Sequence, residues 1–208
     1  MKKLFFLLVL TLICGKFILA QENAIMQWVK QIGGTYSDDR GYSLTLDASG
    51  NVYTTGFFGT ADFDPGADTF NLTSVGGDIF ISKIDSSGNF VWAEQMGGSD
   101  FDYGTSIAVD ASGNVYTTGL FRGAADFDPG ADTFKLTSAG VEDIFISKLN
   151  SSGNFIWAKQ IDGTNLNYGP CIAIDTFGNV YTTGPFHDTA DFDPGAGVYN
   201  LRLFSNIG

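Results

Sequence analysis

Asp47-Ala-Ser-Gly-Asn-Val-Tyr-Thr-Thr-Gly56 is the stretch that decides the fold, because it returns unchanged as Asp110 to Gly119 and, with two substitutions, as Asp175 to Gly184. Working outward, Asp78-Ile-Phe-Ile-Ser-Lys-Ile-Asp-Ser-Ser-Gly-Asn-Phe-Val-Trp-Ala93 is matched by Asp143 to Ala158, with changes only at Leu149, Asn150 and Ile156. Trp28, Trp92 and Trp157 mark the same phase. The repeat length is therefore about 64 residues. A period of this size sets the architecture before any single motif does.

Within one period, β-branched and aromatic residues cluster in short runs bounded by Gly, Asn, Asp and Ser, which reads as four strands. In the second unit they are expected at 106–110, 114–121, 143–149 and 154–161. The turns Asp-x-x-Gly-Asn and Asp85-Ser-Ser-Gly-Asn89 put Gly and Asn where a hairpin needs positive φ. The first strand is built from small residues, as in Ser106-Ile-Ala-Val-Asp110, whereas later ones carry Tyr116, Phe145, Phe155 and Trp157. That gradient suits a wedge with its narrow edge at a crowded axis. Apolar side chains on both faces, Ile144 and Ile146 against Phe145 and Leu149, require each sheet to be covered on two sides. The expected fold class is all-β: a β-propeller of four-stranded antiparallel blades. A β-solenoid is the alternative, though its coils repeat over fewer residues.

The runs Ser106-Ile-Ala-Val-Asp110, Gly113-Asn-Val-Tyr-Thr-Thr-Gly119, Asp78 to Asp85, Gly88 to Ala93 and the pair Gly97-Gly98 resemble the bacterial β-propeller repeat known as SBBP. The likeness covers nearly all of the chain after residue 20, with Asp162-Gly163 standing where Gly97-Gly98 stands. It implies blades of a ring thought to be seven-bladed, in exported and surface proteins, with no catalytic residues to carry over.

The blades do not fill a ring. Residues 27–34 match the outer strand that ends at Gly98, so they read as a lone outer strand; blades follow at 43–98 and 106–163, with a partial blade at 171–208. Closure takes about four to eight blades, and this incomplete ring supplies two full ones plus parts. The ring is expected to be completed by missing C-terminal blades or by self-association, since an open arc leaves strand edges and aromatic faces in water.

Lys2 and Lys3 precede an apolar run from Leu4 to Ala20, the pattern of a signal peptide over residues 1–20, which leaves 21–208 as the propeller segment. The apolar core is short for a membrane span of about 20 residues, so no membrane insertion is expected after cleavage. Thr11 and Ile13 depart from the lipobox that would make Cys14 a lipid anchor. The whole chain has 11 basic and 23 acidic residues. Loss of Lys2, Lys3 and Lys16 leaves 8 basic side chains and makes the balance still more acidic. Nucleic acid and anionic membrane are poor partners for such a surface. Cys171 then stands alone, so no internal disulfide forms and burial must supply stability.

Candidate chemistry falls on the long connections 59–77 and 122–142, since binding residues favour long loops on a rigid scaffold. Their regular element is Ala61-Asp-Phe-Asp-Pro-Gly-Ala-Asp68, repeated at Ala125 to Asp132 and in part at Ala190 to Gly197. Asp62, Asp64, Asp68, Asp126, Asp128 and Asp132 are spaced to converge on calcium, which takes six to eight oxygens at about 2.3–2.6 Å. Asp-Pro-Gly is equally an ordinary turn. Calcium is the one cofactor under consideration, and these six aspartates are the metal candidates. Tyr103, Tyr168, Phe63, Phe127 and Phe192 recur in phase and fit either packing or a sugar platform.

No catalytic residue is assigned. His187 is the sole histidine, and the paired carboxylates Asp62 and Asp64 recur in every unit, whereas one active site would not. The expected function is a secreted, non-catalytic scaffold for binding, adhesion or display at the cell surface, with a glycan or protein ligand. The alternative is the N-terminal part of a propeller enzyme, a glycan-active hydrolase or lyase with its active site in missing blades.

Overall fold

The computed structural model describes residues 7–8, 26–34, 38–164 and 169–202. Apart from Leu7–Leu8, the expected signal peptide lies outside them. Among the described residues there is no helix. The first complete unit is β3 (Arg40–Leu46), β4 (Val52–Asp62), β5 (Asn71–Ile84) and β6 (Phe90–Gly98), an antiparallel sheet in chain order. It follows β1 (Leu7–Leu8) and β2 (Val29–Lys30), which pair with each other. The second unit is β7 (Tyr103–Val109), β8 (Val115–Phe121), β11 (Asp143–Leu149) and β12 (Phe155–Thr164). Between its middle strands lies a hairpin, β9 (Ala124–Asp126) and β10 (Lys135–Thr137). The third unit contributes β13 (Cys171–Ile174), β14 (Val180–Thr183), β15 (His187–Asp191) and β16 (Asn200–Arg202).

The strand expectations for the second unit agree with this. The third strand has the expected bounds, and the fourth runs three residues further, to Thr164. The Asp-x-x-Gly-Asn turns close as the sequence requires. Asp47 N–H donates to the Asn51 carbonyl at 3.1 Å and Gly50 N–H to the Asp47 carbonyl at 3.0 Å. Gly50, Gly113 and Gly178 take φ of 78°, 80° and 84°, where a Cβ is disfavoured.

Each sheet uses its neighbour as a lid. Tyr53, Ile79, Ile81 and Met96 from the first sheet form one core with Ile107, Val115, Phe121, Phe145 and Leu149 from the second. The second sheet's other face, with Leu120, Ile144, Ile146 and Ile161, packs against Ile172, Val180, Phe186 and Phe192 of the third unit. Every residue of β8 is buried. Stacking at the narrow edge demands bare backbone: a Cβ on Gly104 would sit 2.1 Å from Thr55 Oγ1 of the preceding unit. At the broad edge, Trp28 Nε1 donates to the Ser86 carbonyl at 3.2 Å and Trp92 Nε1 to that of Ser151 at 3.3 Å. Each tryptophan thus ties its own strand to a turn of the following unit.

The two larger sheets are open, with β10 and β3 at the edges of one and β16 and β7 at the edges of the other. Repeated antiparallel sheets packed face to face are consistent with a β-propeller-like repeat fold.

Candidate functional site

The long connections fold into hairpins. In 122–142 the chain forms β9 and β10, and in 59–77 the same hairpin is the continuous end of β4 and start of β5, with Thr60, Ala61 and Asp62 paired to Thr73, Leu72 and Asn71. The physical reason is alternation across a Pro-Gly turn: Ala61 and Phe63 point into the core while Asp62 and Asp64 do not. The runs Thr69-Phe-Asn-Leu-Thr73 and Thr133-Phe-Lys-Leu-Thr137 carried that signal.

Each hairpin latches onto the unit before it. Gly97 and Gly98 of β6 pair with Asp126 and Ala125, Asp162 of β12 pairs with Asp191, and Gly33 bridges to Asp62. The aspartates shape the latch. Asp62 Oδ1 accepts from the N–H groups of Asp64 (3.0 Å) and Phe70 (2.9 Å), and Asp64 Oδ1 accepts from Gly66 N–H (2.7 Å). Asp126 and Asp128 repeat this pattern, as do Asp191 and Asp193. Asp68 and Asp132 are exposed. Among the described residues no three carboxylates, histidines or cysteines gather as a metal site. Phe63 and Phe127 are buried pegs, Phe63 within 5.3 Å of Phe58 and 5.0 Å of Phe80, Phe127 within 5.4 Å of Phe121 and 4.9 Å of Phe145. They do not present a sugar platform. Tyr103 stacks on Phe57 at 5.2 Å, and Tyr168 lies outside the described residues.

Two geometries remain open to ligands or protons. A groove of about 360 Å³ runs between the second latch, β12 and the loop of the third latch, lined by Phe134, Lys159, Gln160, Asp162, Asp193 and Pro194 among others. At the joint between the first and second units, Asp102 is fully buried. Its Oδ2 accepts from Gly98 N–H at 2.8 Å and its Oδ1 from Arg122 N–H at 2.9 Å, while the Arg122 guanidinium pairs with Glu142. Burial pushes Asp102 up to about 7, against the pull of those two N–H groups, and pushes Asp78 up to about 6 against the hydrogen bond from Gln95. Glu94 rises to about 7 through burial alone. Sequence reasoning missed these groups, although Asp78 recurs as Asp143 and Asp102 has Asp39 one repeat earlier.

The profile of the beta-propeller repeat SBBP matches residues 27–56 and 91–120. Two segments of the chain match the SBBP repeat. Each SBBP match begins in the outer strand of one unit and ends in the second strand of the next, so the recurring sequence element spans the joint. Asp39 and Asp102 fall inside the matches; the latches fall outside them.

Two curated proteins are also similar. An uncharacterized WD repeat-containing protein of Acanthamoeba polyphaga mimivirus is 29% identical over 121 residues, 51% of this chain and 9% of that protein. The regulatory protein FlaEY of Caulobacter vibrioides is 25% identical over 107 residues, 51% of this chain and 11% of that protein. The chain thus spans about a tenth of the length of these relatives.

Proposed function

We propose that this chain is part of a β-propeller whose blades serve as a secreted, non-catalytic binding scaffold, with the groove beside β12 as its ligand site. The observation that carries the reading is a groove that sets two non-recurring charges, Lys159 and Asp162, among residues of the repeat. Recurring residues are engaged in turns, pegs and latches. Most of the groove lining recurs, as Phe134, Gln160, Asp193 and Pro194 do, but Lys159 and Asp162 stand where the first unit has Glu94 and Gly97.

The groove combines a half-exposed ring, Phe134, with charged and amide groups of both signs, a set suited to a polyhydroxylated ligand. Gln160 Nε2 holds Asp162 Oδ1 at 2.8 Å, which orients that carboxylate. The excess of acidic residues favours solubility outside the cell and disfavours polyanions. A glycan array on the full chain tests this, with Asp162→Ala and Lys159→Ala as comparisons. Binding that weakens by about tenfold or more in either variant supports the groove, a loss of about 1.4 kcal/mol. Silence across neutral and charged sugars removes the glycan reading and leaves a protein ligand.

A further inference from the structure

The joint between the first and second units contains a feature that neither packing nor the proposed ligand groove uses. Asp78, within β5 directly after Gly77, is 3% exposed, and Asp102, just ahead of β7, is 0% exposed. A Cβ built on Gly97 would lie 2.5 Å from Asp78 Oδ1 and 2.9 Å from Asp102 Oδ2, so both oxygens crowd the same glycine from two elements. Asp78 Oδ2 is held by Gln95 Nε2 at 2.6 Å, but its Oδ1 is buried without a hydrogen-bond partner. A buried anionic oxygen without a partner is costly, and two facing carboxylates cannot both ionise cheaply.

The charged surroundings do not relieve the pair. Asp100 in the β6–β7 connection adds a like charge, Asp126 on β9 lies opposite Gly97, and Glu94 lies on β6 itself. Arg122 offers Asp102 its backbone N–H while its guanidinium is committed to Glu142. The repeat supplies a comparison in sequence: one period on, Asn167 replaces Asp102 while Asp143 keeps the place of Asp78.

We propose that Asp78 and Asp102 form a proton-dependent clamp, which holds the first and second units together while the pair keeps one proton and loosens the joint when that proton leaves. The sign follows from linkage. Both carboxylates bind protons more tightly folded than unfolded, so their contribution is most favourable below the ordinary carboxylate range and is lost as pH rises through about 6 to 7. The joint is therefore firmest in mild acid.

Carboxyl ¹³C titration by NMR of the full chain, with thermal unfolding from about pH 5 to about pH 9, tests the clamp. The expected result is at least one of the two carboxyls titrating more than about a unit above the usual aspartate value. Asp102→Asn should reduce proton uptake on folding by about one near neutrality and flatten the pH dependence of Tm. Glu94→Gln should leave the Asp78 and Asp102 titrations in place. Ordinary titration of both aspartates near 4 would overturn the clamp, as would a wild-type pH slope in Asp102→Asn. The wild-type NMR titration decides the matter even where a variant does not fold.

Discussion

Asp110 shows how much one recurring side chain does. Its Oδ1 accepts from Ser112 and Asn114 N–H at 2.9 Å each, and its Oδ2 accepts from Asn114 Nδ2 at 2.7 Å and Tyr116 OH at 3.2 Å. Partial burial pulls its pKa up, but these hydrogen bonds win and hold it below the usual carboxylate range, as they do for Asp47. A depressed folded pKa stabilises above the unfolded value and is lost as pH falls through the folded one. Stability contributed by Asp47 and Asp110 should thus disappear below about pH 4, on the opposite side of neutrality from the Asp78–Asp102 effect. Asp110→Ala removes charge-assisted bonds at the head of a fully buried strand and should cost about 2–3 kcal/mol in urea denaturation. The glycines give a contrasting pair. A Cβ on Gly119 would lie 1.7 Å from the Tyr103 carbonyl oxygen, whereas at Gly178, with φ of 84°, it meets nothing within 4 Å. Gly119→Ala should lose more than about 3 kcal/mol through displaced backbone, and Gly178→Ala only about 1 kcal/mol through conformation alone. Equal losses in the same denaturation experiment would contradict the crowded-axis packing.

At the scale of the element, the latch carries the argument. Phe127 fills the interface beneath the β9–β10 hairpin while Phe134, one turn away, is 38% exposed and rests on Phe155 at 4.9 Å. Phe127→Ala should cost about 3–5 kcal/mol, and Phe134→Ala clearly less, because it loses only part of its burial. The latch aspartates already accept backbone N–H groups, so a calcium chelator should leave the melting temperature unchanged; a fall on chelation would support the metal reading. The strands of each unit were legible because their period-2 patterns repeat with Gly-Asn turns between them. Latches were not, since Asp-Phe-Asp-Pro-Gly describes a turn equally well as a loop and nothing local says that Gly97 and Gly98 will receive it. The Asp78–Asp102 joint was harder still. Its partners come from different elements and become a pair only when two sheets stack around one glycine. Recurrence in sequence revealed the sheets, while contact between units had to be seen.

For the whole molecule, stability follows how many neighbours each unit has. Tyr53, Tyr116 and Tyr181 occupy the same position in three successive units. The first two are 0% and 2% exposed and lie edge-on to Trp92 and Trp157, with Lys83 and Lys148 over their rings. Tyr181 is 57% exposed, and β14 pairs with β13 alone among the described strands. The difference lies not in sequence but in the strand that covers the ring: β5 for Tyr53 and β11 for Tyr116. A two-stranded hairpin is marginal by itself and here depends on packing against Leu120, Ile144 and Ile146. Local opening free energies should therefore rise from the third unit to the second, with β13 and β14 opening far below the global limit. Hydrogen exchange read by mass spectrometry should show the amides of Cys171–Thr183 exchanging at least about a hundredfold faster than those of β8 and β11, since that ratio corresponds to only about 2.7 kcal/mol of difference in opening. The same measurement bears on how the open edge is used. If a further strand or a second copy covers β14 in solution, protection of Val180–Thr183 should rise with protein concentration or in a longer chain, and Tyr181 should lose its access to solvent. Protection equal to that of β8 in a dilute monomer would mean that stacking from one side is enough to hold a unit, and would remove the link between neighbours and stability.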